Sequence, residues 1–205
     1  MQTETTLTVS EIFYSIQGES RYAGYPCLFI RLSGCNLRCS FCDARYTYEE
    51  PGQEMTVAEI LEEVHKTPGV MVEVTGGEPL LQDGIYPLLD ELLADGRTVL
   101  IETNGSLDIR RIPAGVVRIM DLKCPDSNMH QQMNLDNLAD IRPTDEIKFV
   151  LSSRRDYEWC REMIHKQGLA KKVHLACSPV TSSLSPADLG QWLMEDKLPC
   201  RLQLQ

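Results

Sequence analysis

Cys35-Asn36-Leu37-Arg38-Cys39-Ser40-Phe41-Cys42 sets three thiols within eight residues, directly after Ser33-Gly34. Thiolates are the standard ligands of iron–sulfur clusters, and so compact a loop can wrap one corner of an iron–sulfur cube. Three cysteines leave one iron of a four-iron cube without a protein ligand, and an open coordination site is what a reactive centre needs. Other chemistries fit less well. A structural zinc needs a fourth ligand to close its tetrahedron. No His or Cys follows nearby, and Cys124 or Cys177 could reach the loop only through folding. The C-x2-C-x2-C-x3-C-P run of an electron-transfer ferredoxin is absent. Three unliganded structural thiols at this spacing would be a coincidence.

The elements that must position this loop follow from the hydrophobic pattern. Short, β-rich apolar runs at 26–34, 70–77, 97–105, 115–123, 145–153 and 171–177 each read as a buried strand ending in polar or glycine residues. Helical patterns stand among them at 56–66, 84–94, 154–167 and 186–194. Thr56 and Glu59 have the spacing of a capping box, and Pro186 after Ser185 makes a good helix start. Strand and helix in alternation give an α/β fold, a parallel sheet with helices on its outer face. Functional groups then gather at the C-terminal ends of the strands. Ser33-Gly34-Cys35, Thr75-Gly76-Gly77-Glu78, Glu102-Thr103-Asn104-Gly105, Asp121-Leu122-Lys123 and Ser152-Ser153 all fall at such ends. No boundary, repeat or low-complexity segment interrupts the chain, so 1–205 reads as one domain.

Composition excludes some function classes. With 20 Lys and Arg against 30 Asp and Glu, the formal net charge is −10. Neutralising nucleic-acid phosphates needs concentrated Lys and Arg, so tight nucleic-acid binding is not expected. No stretch approaches the roughly 20 apolar residues of a membrane span, and the first ten residues lack the signal-peptide pattern. A cytoplasmic, reducing location follows, in which cysteines bind metal, catalyse or sit buried. Cys27, Cys124, Cys160, Cys177 and Cys200 read as small core residues. His65, His130, His165 and His174 show no metal-ligand spacing, and Trp159 and Trp192 lie on helical patterns.

The C-x3-C-x2-C loop, with Phe41 before its last cysteine, resembles the signature of the radical S-adenosylmethionine (SAM) superfamily. The resemblance implies a [4Fe–4S] cluster on Cys35, Cys39 and Cys42, whose open iron chelates the amino and carboxylate groups of SAM. Reduction would then cleave SAM to methionine and a 5′-deoxyadenosyl radical. Gly76-Gly77-Glu78-Pro79 resembles the superfamily's GGE motif, whose backbone and carboxylate hold the methionine ammonium. Glu102-Thr103-Asn104-Gly105 is similar to its ribose-contacting strand end. The implied SAM contacts are thus Gly76, Gly77, Glu78, Glu102, Asn104, Asp121, Leu122 and Lys123. The implied fold is a partial, TIM-like barrel of about six parallel strands with few outer helices.

Ahead of the cysteines, Glu11-Ile-Phe-Tyr-Ser-Ile-Gln-Gly-Glu19 and Gly24-Tyr-Pro-Cys-Leu-Phe-Ile-Arg-Leu32 resemble the hallmark stretches of the 7-carboxy-7-deazaguanine synthases. That resemblance implies a radical ring contraction of 6-carboxytetrahydropterin with loss of ammonia, SAM being regenerated. Ile16, Gln17, Gly18 and Glu19 would meet the pterin, whose amide-and-amine edge offers donors and acceptors. Arg31 would pair with its carboxylate, and Thr75 would touch it too. Arg31 also interrupts an apolar strand, where an unpaired buried charge is costly. The family implies a flavodoxin or ferredoxin reductant and a homodimer. Two departures stand out. Asp43-Ala44 replaces the family's Asp-Thr pair, whose hydroxyl helps hold Mg2+. Thr47, a carboxylate or water would have to substitute, since a methyl cannot ligate this hard cation. The last residues, Arg201–Gln205, also lack the Leu-His-Lys segment and pterin-closing tail of the family. The competing readings are a glycyl-radical activating enzyme and a non-catalytic iron–sulfur or zinc module.

Overall fold

The computed structural model describes residues 5–204. Met1–Glu4, part of the stretch read as free of a signal peptide, and Gln205 lie outside them. The described residues form one nine-stranded sheet in the order β3-β1-β2-β4-β5-β6-β7-β8-β9. A hairpin opens it: β1 (Thr6–Ile16) pairs antiparallel with β2 (Pro26–Leu32), setting Phe13 opposite Phe29 and Glu11 opposite Arg31. The short β3 (Gln53–Thr56) covers the other side of β1. From β2 onward every pairing is parallel, through β4 (Met71–Gly76), β5 (Val99–Thr103), β6 (Val117–Asp121), β7 (Glu146–Leu151), β8 (His174–Pro179) and β9 (Arg201–Leu202). The helices are α1 (Tyr46–Glu49), α2 (Val57–His65), α3 (Ile85–Ala94), α4 (Arg154–Gln167) and α5 (Pro186–Glu195). The sheet does not close, because its edges β3 and β9 have no strand partner on their outer sides.

The six apolar runs of the sequence become β2 and β4 to β8, the parallel body of the partial barrel. Strands β1, β3 and β9 are additions to that expectation. In β1 only Leu7 and Val9 are buried, among half-buried polar neighbours, so it lacks the continuous apolar run of a central strand. Strand β9 is two residues long and is extended by the Gln203 N–H donating to the Cys177 carbonyl at 3.0 Å. Expected helix ends hold. The Thr56 hydroxyl accepts from Glu59 N (3.1 Å) while the Glu59 carboxylate accepts from Thr56 N (2.7 Å), the full capping box. Ser153 and Ser185 cap α4 and α5.

Side chains alternate along each strand, so every strand serves two environments. One face carries Val72, Val74, Ile101, Met120, Ile147 and Phe149 against the helices, where Leu88, Leu92, Tyr157, Ile164 and Leu189 meet them. On the other face Cys27, Phe29, Met71, Leu100 and Ile119 form a small cluster plugging the lower barrel. Two residues further along the same face come Arg31, Glu73, Glu102 and Asp121, with Lys148 on β7. The interior therefore changes from apolar to charged within one pleat repeat. Cys27, Cys124, Cys160 and Cys177 are buried core residues.

Candidate active site

Above the apolar plug lies a cavity of about 610 Å³, lined by the β1–β2 hairpin, the cysteine loop, the ends of β4 to β8, and Leu204. Cys35, Cys39 and Cys42 all line one end of it. Backbone bonds fix their loop: Gly34 N–H donates to Thr47 O (2.7 Å), Glu78 N–H to Gly34 O (2.8 Å) and Ser40 N–H to Ser127 O (3.1 Å). Gly76 and Gly77 permit this approach. A Cβ on Gly76, whose φ is +145°, would stand 2.3 Å from Leu32 O, and one on Gly77 would stand 2.1 Å from Gly34 O. Any side chain there would push β4 away from the cysteine loop.

The three thiols line the cavity together, as the ligands of a cluster would. Among the described residues no three His, Cys, Asp or Glu side chains converge to hold one metal. An iron–sulfur cube instead takes one thiolate at each of separate irons. Burial raises the Cys35 and Cys39 thiols, the positive Lys123 opposes this at both, and metal binding would deprotonate them. Beside them Lys123 donates to Asp121 Oδ2 at 2.7 Å, while Asp121 Oδ1 is buried with no hydrogen-bond partner among the described residues. An orphaned acceptor in a cavity wall is a position where a ligand donor belongs. Asn104 Nδ2 donates to Asn36 at 3.1 Å and lies 3.9 Å from Cys35 Sγ.

Another part of the lining is built by the hairpin. Phe13 and Phe29 stack with ring centroids 4.9 Å apart and form one wall. Arg31 donates through Nε to Glu11 (2.8 Å), which Tyr46 also reaches. The two terminal nitrogens of Arg31 make no hydrogen bond among the described residues. Gln17 turns inward: its amide nitrogen donates to the Glu73 carboxylate and its oxygen accepts from Glu19 N (2.9 Å). The Gln17 amide therefore shapes the Gln-Gly-Glu turn, leaving backbone and the Glu19 carboxylate at the surface. Ile16 and Gly18 line the cavity beside them.

Lys148, 3% exposed, also lines the cavity. It donates to Glu19 Oε2 (2.9 Å) and to Glu102 Oε1, and lies 4.0 Å from Asp121 Oδ2. The second Glu102 oxygen accepts from Thr75 Oγ1 at 3.0 Å. Gln203 Nε2 also donates to Glu19 Oε2 (2.9 Å), and Gln203 Oε1 accepts from Ser20 N (2.8 Å). Thus the C-terminal residues reach the hairpin across the open side of the barrel. Burial pushes the Glu102 carboxyl up, but the Lys148 charge and hydrogen bond outweigh it and hold it at about 2. Glu73 has no direct ion pair among the described residues; burial, then the charge of Glu102, push its carboxyl well above the usual range against the opposing charge of Lys148.

One cavity thus gathers the sequence-derived Ile16, Gln17, Gly18, Glu19, Arg31, Thr75, Gly76, Gly77, Glu102, Asn104, Asp121 and Lys123 with the three cysteines. Glu78 and Leu122, also read as SAM contacts, do not line this cavity. Glu78 is fully buried and accepts from Leu80 N (3.0 Å), Thr103 Oγ1 (2.8 Å) and Asn104 N (2.6 Å), fastening the ends of β4 and β5 together. Burial raises its carboxyl to about 7. Leu122 belongs to the core, and its N–H is taken by Lys148 O at 2.8 Å. Ser152 and Ser153 serve Asp126, Asp156 and the start of α4. Asp43, Ala44 and Thr47 line the cavity, but the Thr47 hydroxyl donates to Ala44 O at 2.7 Å. Residues not foreseen are Glu73, Lys148, Phe13, Phe29, Gln203 and Leu204. Glu73 and Lys148 carried the same signal as Arg31, a charge interrupting an apolar strand. Gln203 and Leu204 carried none, since their contacts lie far away in sequence.

Residues 29–134 match the Radical SAM superfamily. The chain is similar to the 7-carboxy-7-deazaguanine synthase of Koribacter versatilis, 44% identical over 214 residues that cover 97% of this chain and 94% of the relative. The corresponding synthase of Chlorobaculum tepidum is 44% identical over 208 residues, covering 100% and 94%. The fold resembles the crystal structure of QueE from Escherichia coli with a TM-score of 0.79 at 23% identity, covering 98% of this chain and 94% of that one.

Proposed function

Because this chain belongs to the 7-carboxy-7-deazaguanine synthase family of radical SAM enzymes, we propose that its cavity binds SAM beside the cysteine loop and 6-carboxytetrahydropterin beside Arg31 and Glu19. The reaction is contraction of the pterin ring to 7-carboxy-7-deazaguanine with loss of ammonia. The observation that carries this reading is one cavity lined by three thiols, a half-free guanidinium and a carboxylate.

Cys35, Cys39 and Cys42 would hold a [4Fe–4S] cluster, which with SAM supplies the radical chemistry that removes one substrate hydrogen. The protein's own groups bind, orient and shield. At the SAM end, Asp121 Oδ1 offers an unoccupied acceptor and Asn104 a polar edge. The Arg31 terminal nitrogens form a fork that matches a carboxylate's two oxygens, tethering the carbon that carries the carboxylate. Glu19 has one oxygen on Lys148 and Gln203 and the other free to accept from the pterin's N–H groups. Phe13 supplies an apolar face for the ring. Tethering at both ends, rather than proton transfer, is what these side chains contribute, and orientation of this kind accounts for much of an enzymatic rate.

Asp43 would be the carboxylate ligand of any Mg2+ in this reading, because Ala44 offers only a backbone oxygen that Thr47 already uses. A flavodoxin or ferredoxin reductant, a homodimeric assembly and a cytosolic setting belong to the same reading. Among the described residues no helix is long and apolar enough to cross a membrane.

The test is anaerobic cluster reconstitution followed by dithionite, SAM and 6-carboxytetrahydropterin, with mass detection of products. Carboxydeazaguanine with little net loss of SAM is the expected result. Methionine and 5′-deoxyadenosine without any deazapurine would overturn the substrate assignment while leaving the radical SAM chemistry in place.

A further inference from the structure

We infer that Lys148 is a positioning residue for the pterin: its ammonium, shared between Glu19 and Glu102, holds Glu19 as a fixed carboxylate acceptor for the substrate's N–H edge. This rests on the pterin reading above. Within the Gln-Gly-Glu turn, Gln17 holds the Glu19 backbone but not its carboxylate. That carboxylate projects from a hairpin loop, and among the described residues only Lys148 and Gln203 grip it, both on the same oxygen.

The placement of Lys148 argues for this role over simple core stabilisation. A buried ion pair contributes little stability compared with well-packed apolar residues, so stability alone gives poor reason for a lysine at this position. Its neighbours on β7, Ile147 and Phe149, face the helices and form ordinary core, while Lys148 takes the inward pleat position and lines the cavity. The carboxyl groups around it are Glu19 from the hairpin, Glu73 from β4, Glu102 from β5 and Asp121 from β6. Lys123, paired with Asp121, is the other cation there. Arg31 is paired with Glu11. Remove Lys148 and four carboxyl groups face a single Lys123, so like charges must separate or take up protons. Glu19 has the freedom to do so, because it sits on a loop and keeps 29% side-chain exposure. Glu102 is held back by Thr75. The expected consequence is a Glu19 that swings away or becomes protonated, and a pterin edge that loses its acceptor.

The experiment uses reconstituted enzyme with the cluster oxidised, so that no turnover occurs, and anaerobic calorimetric titration with 6-carboxytetrahydropterin and, separately, with SAM. Lys148→Met should raise the pterin Kd by about thirtyfold or more, the scale for truncating one partner of a buried charge pair. The SAM Kd should stay within about threefold, and Lys148→Arg should recover most of the pterin affinity by keeping the charge. In a double-mutant cycle, Lys148→Met should add little to Glu19→Gln, because the lysine acts through that carboxylate. Unchanged pterin affinity in Lys148→Met, or losses that add fully with Glu19→Gln, would overturn the inference. So would equal loss of SAM and pterin binding, or a Lys148→Met chain that neither folds nor is restored by Lys148→Arg. Each would show a merely structural lysine. Wild-type turnover of the pterin separates the two levels. If wild type does not convert it, the substrate reading fails; if it does and Lys148→Met binds it normally, only the role of Lys148 fails.

Discussion

Arg118 and Lys148 are both buried cations that interrupt apolar strands, on the adjacent β6 and β7, yet they live in opposite environments. Arg118 is on the helix side, 1% exposed, and every part of its fork is used. It donates to Asp145 Oδ2 through Nε (2.9 Å) and to the carbonyls of Asp140 (2.6 Å) and Ile109 (3.5 Å). Asp145 in turn accepts from the Arg142 N–H at 2.8 Å. That region is closed. Lys148 is on the inner side, shared among carboxylates of which Glu19 and Asp121 keep an oxygen without a partner among the described residues. A satisfied buried charge fastens loops together, whereas a charge whose partners are left unsatisfied holds them ready for a ligand.

This contrast can be broken by experiment, and the largest effect belongs to the cavity side. Cys39→Ala should abolish cluster assembly and turnover, checked by iron content and product assay, with the fold retained by circular dichroism. On the closed side, Asp145→Ala should cost about 3–5 kcal/mol of stability in denaturant unfolding, since it strands the Arg118 charge. Its KM for the pterin should match wild type under conditions where it is folded. Arg31→Ala should raise the pterin KM by roughly tenfold or more while uncoupled SAM cleavage persists; loss of the cluster in that variant would contradict the substrate role of Arg31. The smallest effect is electrostatic. Glu102 is held at about 2 when folded, below its ordinary value of 4.5, so its contribution is fully present above that ordinary value and is lost as pH falls toward the folded one. Acid-induced melting of wild type should show this loss, and Lys148→Met should flatten it.

Much of the molecule was legible in advance. Six continuous apolar runs marked the parallel body, and the glycine and polar residues at their ends marked the cavity rim, because strand burial and strand termination leave direct traces in composition. Strand β1 was less visible since only Leu7 and Val9 of its residues are buried. The surroundings of Glu78 were hidden for a different reason: a motif carboxylate and a structural carboxylate look alike until its three donors, Leu80, Thr103 and Asn104, are seen around it. Gln17 is similar, in the cavity wall as expected but with its amide consumed by Glu73 and Glu19. Lys148 and Arg118 present the same interruption in a strand, and only the pleat direction and the partners brought by folding tell one from the other.

The most direct test of the account is an anaerobic crystal structure of the reconstituted enzyme with SAM and 6-carboxytetrahydropterin. The account predicts a cluster on Cys35, Cys39 and Cys42, SAM against Asp121 and Asn104, and the pterin carboxylate on the terminal nitrogens of Arg31. The pterin's N–H edge should lie on the free oxygen of Glu19, whose other oxygen remains on Lys148. A pterin bound outside this cavity, or inside it with Arg31 and Glu19 both uninvolved, would contradict it.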